Sequence, residues 1–252
     1  MSFVYALSGM LPALLAMYYV DRLDAKRPEP RWQLRKVAIF GGLATLPCIA
    51  VQLGLTHGLK IDEHTPGGAL FTAFITAGAT EEIAKALVVY FAIWRHPAFD
   101  ERVDGIVYAT RAGLGFALVE NVGYLAGATS AGGFAGIFVV RALLAVPGHA
   151  IWAAYMGYFA AKKRFDGTGP GLLGGLAIAI VSHGLYDAAL FLCGALPKGA
   201  EFLVLVLVPI PVVVIVVGLR GIRKHAAEAL RLDALMHPER PHLPVGLGFI
   251  LR

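Results

Sequence analysis

Seven stretches of this chain, at 3–20, 37–56, 68–94, 105–128, 132–161, 171–193 and 201–219, are apolar and long enough to cross a bilayer. A crossing takes about 20 residues at a rise of roughly 1.5 Å each. Hydrocarbon offers the backbone no water, so a spanning segment must satisfy its own amides, and a helix does this within one segment. The stretches therefore predict an all-α fold, a polytopic transmembrane helical bundle of about seven spans. Composition agrees, with 58% hydrophobic residues, 15% charged residues and a mean hydropathy of +0.69. A soluble domain is nearer 45–50% apolar and about 25% charged.

Loop charge orients the bundle. The first connection carries Arg22, Lys26, Arg27, Arg31, Arg35 and Lys36, the third Arg95 and Arg102, and the fifth Lys162, Lys163 and Arg164. Arg220, Arg223, Lys224 and Arg231 follow the last span, whereas the intervening loops hold only Lys60, nothing, and Lys198. Pro147-Gly148 interrupts the fifth stretch and would divide it into two crossings or leave one. A single crossing puts every basic loop on the cytoplasmic side, as the positive-inside rule requires. The amino terminus is thus expected outside and the carboxyl terminus in the cytoplasm. The first basic residue is Arg22, so no positive n-region marks a cleaved signal peptide, and 3–20 is expected to remain as a span.

The same reading accounts for the net charge of +5 and the pI near 9.3 without nucleic acid. Cys48 and Cys193 fall in apolar spans without CxxC spacing, so neither a disulfide framework nor a thiolate metal site is expected. The organisation expected is a membrane domain over 1–220 and a cytoplasmic tail over 221–252. Residues 221–236 read as a solvated end or a basic amphipathic helix on the inner leaflet. Pro238, Pro241 and Pro244 argue against a helix beyond them.

Against this apolar background stand Glu81, Glu82, Lys85, Glu120, His149, His183 and Asp187, each deep within a span. An ionised group at mid-membrane costs roughly 2.5–3.5 kcal/mol on insertion scales, so such residues face one another across polar cavities and mark function. Measured along their helices, Glu81, Glu120, His149 and His183 lie roughly 18–25 Å from the expected span ends. Four helices thus bring carboxylates and imidazoles to one depth.

The fragments differ in specificity. Adjacent helical residues diverge by about 100°, so Glu81 and Glu82 point different ways, and Lys85 can pair with either from i+4 or i+3. That motif reads equally well as a structural pair between helices. Glu120 sits beside Asn121, whose bland role is interhelical hydrogen bonding. A lone buried carboxylate at Glu120 would tend to protonate. His149 follows Pro147-Gly148, where a helix break would open room for water, although a lone histidine is more often a bonded core residue. His183 and Asp187 share a helix face at i,i+4, and Asp187 is placed to ligate a metal or to fix the imidazole tautomer. Two histidines and a carboxylate with an open position form a catalytic zinc set, and a nearby glutamate would be its general base. Arg111 lies near enough to the inner face to snorkel. Arg141 is expected to pair with a carboxylate or a substrate carbonyl.

Taken in order, Glu81-Glu82-x-x-Lys85, Phe116-x-x-x-Glu120-Asn121, His149 and His183-x-x-x-Asp187 resemble the PrsW family of intramembrane proteases. The resemblance covers roughly residues 68–193. It implies a membrane-embedded, metal-dependent peptidase of the bacterial plasma membrane, distantly similar to type II CAAX prenyl endopeptidases. Glu120 stands where those enzymes carry a histidine, which argues against prenylated substrates. The implied substrate is a membrane-anchored protein with a transmembrane segment, such as an anti-sigma-factor-like regulator.

The leading expectation is therefore an intramembrane endopeptidase. Glu81 or Glu82 activates water, with Glu81 favoured. Glu120, His149 and His183 hold Zn2+, Asp187 supports or replaces one of them, and Lys85, Asn121 and Arg141 assist. Three other readings use the same residues: metal-free acid–base hydrolysis, a proton- or metal-coupled transporter, and a non-catalytic membrane-binding protein. No paired halves with interrupted helices accompany the transport reading.

Overall fold

A computed structural model describes residues 3–23 and 27–236, and the prolines at 238, 241 and 244 lie outside them. The described residues are all-helical, with no strand. The first stretch forms α1 (Phe3–Ser8) and α2 (Met10–Val20), and the second forms α3 (Arg31–Leu43) and α4 (Thr45–Gly58). Next come α5 (Pro66–Phe71), a π-helical segment Thr72–Ala79 and α6 (Thr80–Ala92), then α7 (Arg102–Ala126). A long helix comes after it as α8 (Ala131–Val140), a second π segment Arg141–Ala145 and α9 (Val146–Asp166). The chain ends in α10 (Gly171–Ala195), a 3-10 turn, the short α11 (Val204–Leu207) and α12 (Pro209–Met236).

Four continuous helical stretches among the described residues are long and apolar enough to cross a membrane: Arg31–Gly58, Ala131–Asp166, Gly171–Ala195 and Glu201–Met236. Tyr5–Val20 is a shorter apolar helix. The stretches at 66–92 and 102–126 are helical but carry the charged residues of the candidate site.

Local chemistry sets several boundaries. Thr65 caps α5 by accepting from Gly68 N, and Ser130 caps α8 by accepting from Gly133 N, each at 3.1 Å. Glu101 and Asp104 form a capping box at the start of α7. Gly167, at φ 68°, ends α9 in the left-handed conformation.

The central element is α7, buried along most of Arg102–Ala117 and packed by α2, α3 and α9. The main core gathers Tyr108, Trp152, Tyr158, Phe99, Ile106 and Met156 around the α7–α9 contact. A second cluster joins Ala13 and Met17 of α2 to Leu114, Ala117 and Val146. Close crossing here depends on glycine: a Cβ at Gly113 would lie 2.6 Å from the His149 carbonyl oxygen.

Residues 221–236 are not a solvated end. They continue α12, and Ile222, Ala226, Ala229 and Asp233 are buried against the bundle. Arg111 does not simply snorkel, because its guanidinium pairs with Asp21 just beyond α2.

Candidate active site

Both π segments adjoin candidate residues, and the second begins with one, Arg141. The first ends at Ala79, so Thr80, Glu81 and Glu82 open α6. The second ends at Ala145, directly before Val146-Pro147-Gly148-His149. Pro147 lacks an N–H, and its ring would crowd the carbonyl four residues back. The wide π turn absorbs that conflict. The helix therefore continues through Pro147-Gly148 instead of breaking there, and the turn re-aims His149.

All nine residues singled out from the sequence meet in one connected network. Lys85 and Glu82 are both 0% exposed, and Lys85 Nζ donates to Glu82 Oε1 at 2.7 Å. The same ammonium donates to His149 Nδ1 at 2.7 Å and lies 3.6 Å from Glu81 Oε2. An ammonium has no acceptor, so Nδ1 of His149 is the basic nitrogen and its Nε2 carries the proton. That Nε2 faces Glu120 Oε2 at 2.8 Å.

Glu120 Oε2 also accepts from Arg141 Nη2 at 2.7 Å, and Arg141 Nε donates to Asn121 Oδ1. On the other flank, His183 Nδ1 donates to Glu82 Oε1 at 2.9 Å, and its Nε2 lies 3.2 Å from Asp187 Oδ2. An imidazole with a carboxylate at each nitrogen is held as a two-way donor.

Glu81 is arranged differently. Its Oε1 accepts from Gln52 Nε2 at 3.3 Å, but its buried Oε2 has no hydrogen-bond partner among the described residues. His183 Nε2 lies 4.0 Å from this oxygen. Glu81, Glu120 and His149 form a group whose donor atoms all lie within 4.8 Å of one another. Two carboxylates, one imidazole and a bare buried oxygen suit a metal with an open position. The gathered set contains Glu81 where the sequence reading placed His183.

Some contributors were not legible in the motifs. Trp152, 1% exposed, stacks on His183 with ring centroids 4.1 Å apart at 14°. It lies three residues after His149, so the i,i+3 spacing was the signal that could have found it. Gln52 comes from α4, remote in sequence from every motif. Phe116 presents its ring 4.8 Å from Lys85 Nζ, which places the first residue of the Phe116–Asn121 motif beside the ammonium.

The description "PrsW family intramembrane metalloprotease" belongs to the family model that matches residues 29–216. Protease PrsW of Bacillus subtilis (strain 168) is 31% identical over 183 residues, covering 71% of this chain and 79% of that protein. Protease PrsW of Oceanobacillus iheyensis is 30% identical over 219 residues, covering 86% and 94%. Protease PrsW of Geobacillus kaustophilus is 33% identical over 160 residues, covering 63% and 66%. No solved structure matches the chain significantly. The match spans both π segments and all nine candidate residues, and the chain belongs to the PrsW family of intramembrane metalloproteases.

Proposed function

We propose that this protein cleaves a peptide bond in a membrane-anchored substrate, with Glu81 activating the attacking water. The observation that carries this reading is the buried Glu81 Oε2, without a hydrogen-bond partner among the described residues, beside Glu120 and His149. Glu81 Oε2 accepts the proton that the water gives up, while Gln52 holds its other oxygen. Glu82 is sequestered between Lys85 and His183, and its role is to orient them. His183 Nε2, oriented by Asp187, delivers a proton to the leaving amine, and the proton taken up by Glu81 Oε2, 4.0 Å away, restores it. That role suits His183 better than the ligand role expected from sequence, because both its nitrogens face carboxylates.

Glu120 and His149 would hold a metal, taken as zinc, His149 through Nε2 once that nitrogen gives up its proton. When bound, the ion lowers the pKa of a water and polarises the scissile carbonyl. Arg141 and Lys85 hold Glu120 and His149 in place. Burial of the cluster keeps bulk water out, which strengthens each of these interactions.

The reading includes seven crossings of a bacterial plasma membrane, with the amino terminus outside and the carboxyl terminus inside. It divides the chain into a peptidase-like membrane domain over 1–220 and a cytoplasmic part over 221–252. The substrate class is a protein with a transmembrane segment, an anti-sigma-factor-like regulator by resemblance to the family.

The test co-reconstitutes the protein with a panel of single-span reporters tagged on both sides, alongside Glu81→Gln and a Glu120→Gln/His149→Ala double variant. Two fragments and near-stoichiometric zinc are expected from wild type. Glu81→Gln should insert normally but release no fragments, and the double variant should lose its zinc. Cleavage by Glu81→Gln at the wild-type rate would overturn the assignment. Proton flux without fragments would favour transport.

A further inference from the structure

The first helical pair, α1–α2, carries none of the nine candidate residues, yet it is linked to the candidate site through four contacts. Gly9, between α1 and α2, presents its carbonyl oxygen to Asn121 Nδ2 at 3.0 Å. The amide of Asn121, 1% exposed, turns its Oδ1 to Arg141 Nε. Arg141 donates through Nη2 to Glu120 Oε2 at 2.7 Å, and its guanidinium lies 4.1 Å from the Tyr124 ring centroid. Glu120 Oε2 then meets His149 Nε2 at 2.8 Å.

The chemistry gives this chain a direction. An amide side chain has one donor end and one acceptor end, and a guanidinium can only donate. Asn121 holds Arg141 only while its oxygen faces the guanidinium, so its NH2 group needs an acceptor on the far side. The Gly9 carbonyl is that acceptor. A flipped amide would set donor against donor at Arg141 and acceptor against acceptor at Gly9.

Position 9 is also sterically restricted: a Cβ there would lie 2.5 Å from Leu125 Cδ1 and 3.2 Å from the Asn121 carbonyl oxygen. Gly9 falls outside residues 29–216, the region the family model matches.

We infer that the Gly9 carbonyl and Asn121 are positioning groups through which the first helical pair holds Arg141 against Glu120 and turns that carboxylate toward His149. The inference rests on Glu120 and His149 acting as proposed.

The test uses the full chain in detergent and compares wild type with Asn121→Ala, Gly9→Val, the double variant and Glu120→Gln. Two quantities are read: zinc affinity by competition with a chromogenic chelator, and kcat and KM for reporter cleavage. Asn121→Ala and Gly9→Val should each weaken zinc binding and lower kcat by about 10–100-fold, the range for groups that orient ligands, with KM unchanged. The double variant should be no worse than the poorer single one, since both break the same link.

Asn121→Ala leaves the packing at position 9 intact, so it separates positioning from misfolding at Gly9. Wild-type zinc affinity and kcat in a folded Asn121→Ala, beside a defective Glu120→Gln, would overturn the inference. Additive effects of the two substitutions would also overturn it. A Glu120→Gln variant indistinguishable from wild type would sink the underlying role of Glu120 instead. Should wild type bind no zinc, the kcat comparison alone decides.

Discussion

Glu82 and Lys85 are two charges removed entirely from solvent, a state that survives only while each has its partner. Lys85→Met would leave Glu82 facing only His183, and a broken buried pair costs about 3–5 kcal/mol. The expected outcome is a lower unfolding midpoint in detergent, and Glu82→Gln added to Lys85→Met should recover part of the loss. An unchanged midpoint in the single variant would mean that Lys85 contributes nothing to folding. Trp152 acts on the same cluster by shape: its ring lies flat on His183 and would collide with a side chain at Gly148, where a Cβ would sit 2.7 Å from the indole. Trp152→Phe should keep the fold and lower kcat modestly, because a smaller face leaves the imidazole free to tilt. A wild-type kcat in that variant would show that stacking does not orient His183.

At the scale of elements, the two π segments matter most. A π turn holds one more residue than an α turn, so it rotates the downstream helix relative to the upstream one. Arg141 begins the second segment and reaches Glu120, while His149 lies beyond it and reaches the same carboxylate oxygen. Removing one residue within 142–145 would restore α-helical winding and turn Arg141 relative to His149 by about 100°. Such a deletion should preserve helical content by circular dichroism and membrane insertion, yet abolish cleavage. Full cleavage by the deletion variant would show that the π turn does not set the site.

Across the whole molecule, the far end of α12 latches the helix pair that carries the site. Asp233 Oδ1 accepts from Arg102 N at 3.1 Å and from Arg102 Nη1 at 2.8 Å, and its Oδ2 accepts from Val103 N at 3.0 Å. It thus serves the otherwise orphaned amides at the start of α7. Arg102 also pairs with Asp166 at the end of α9, and Glu228 of α12 accepts from Tyr158 at 2.9 Å and Lys162 at 2.6 Å. Asp233→Ala should therefore lower the thermal midpoint sharply and expose the 221–236 region to limited proteolysis. Wild-type protease resistance would exclude the latch. Reporter fusions after residues 60, 97, 166 and 221 would test the expected topology, with the last three on the cytoplasmic side. An external signal at 221 would break the seven-span reading.

The sequence alone determined that the chain is helical and membrane-bound, because long apolar stretches leave the backbone no other way to satisfy its amides in hydrocarbon. It also singled out the nine polar residues, since charge is costly enough in such segments to stand out. Periodicity could not say which of them touch. The continuity of the helix through Pro147 depended on a π turn, an i→i+5 pattern that Arg141-Ala142-Leu143-Leu144-Ala145 does not announce. Gln52, the Gly9 carbonyl and the Asp233 latch come from helices remote in sequence, and two of the three contacts involve backbone groups that no side-chain motif can mark. Only the tertiary structure decided that Glu81, rather than His183, closes on Glu120 and His149, because the π segments set how α6 and α9 are rotated around α7.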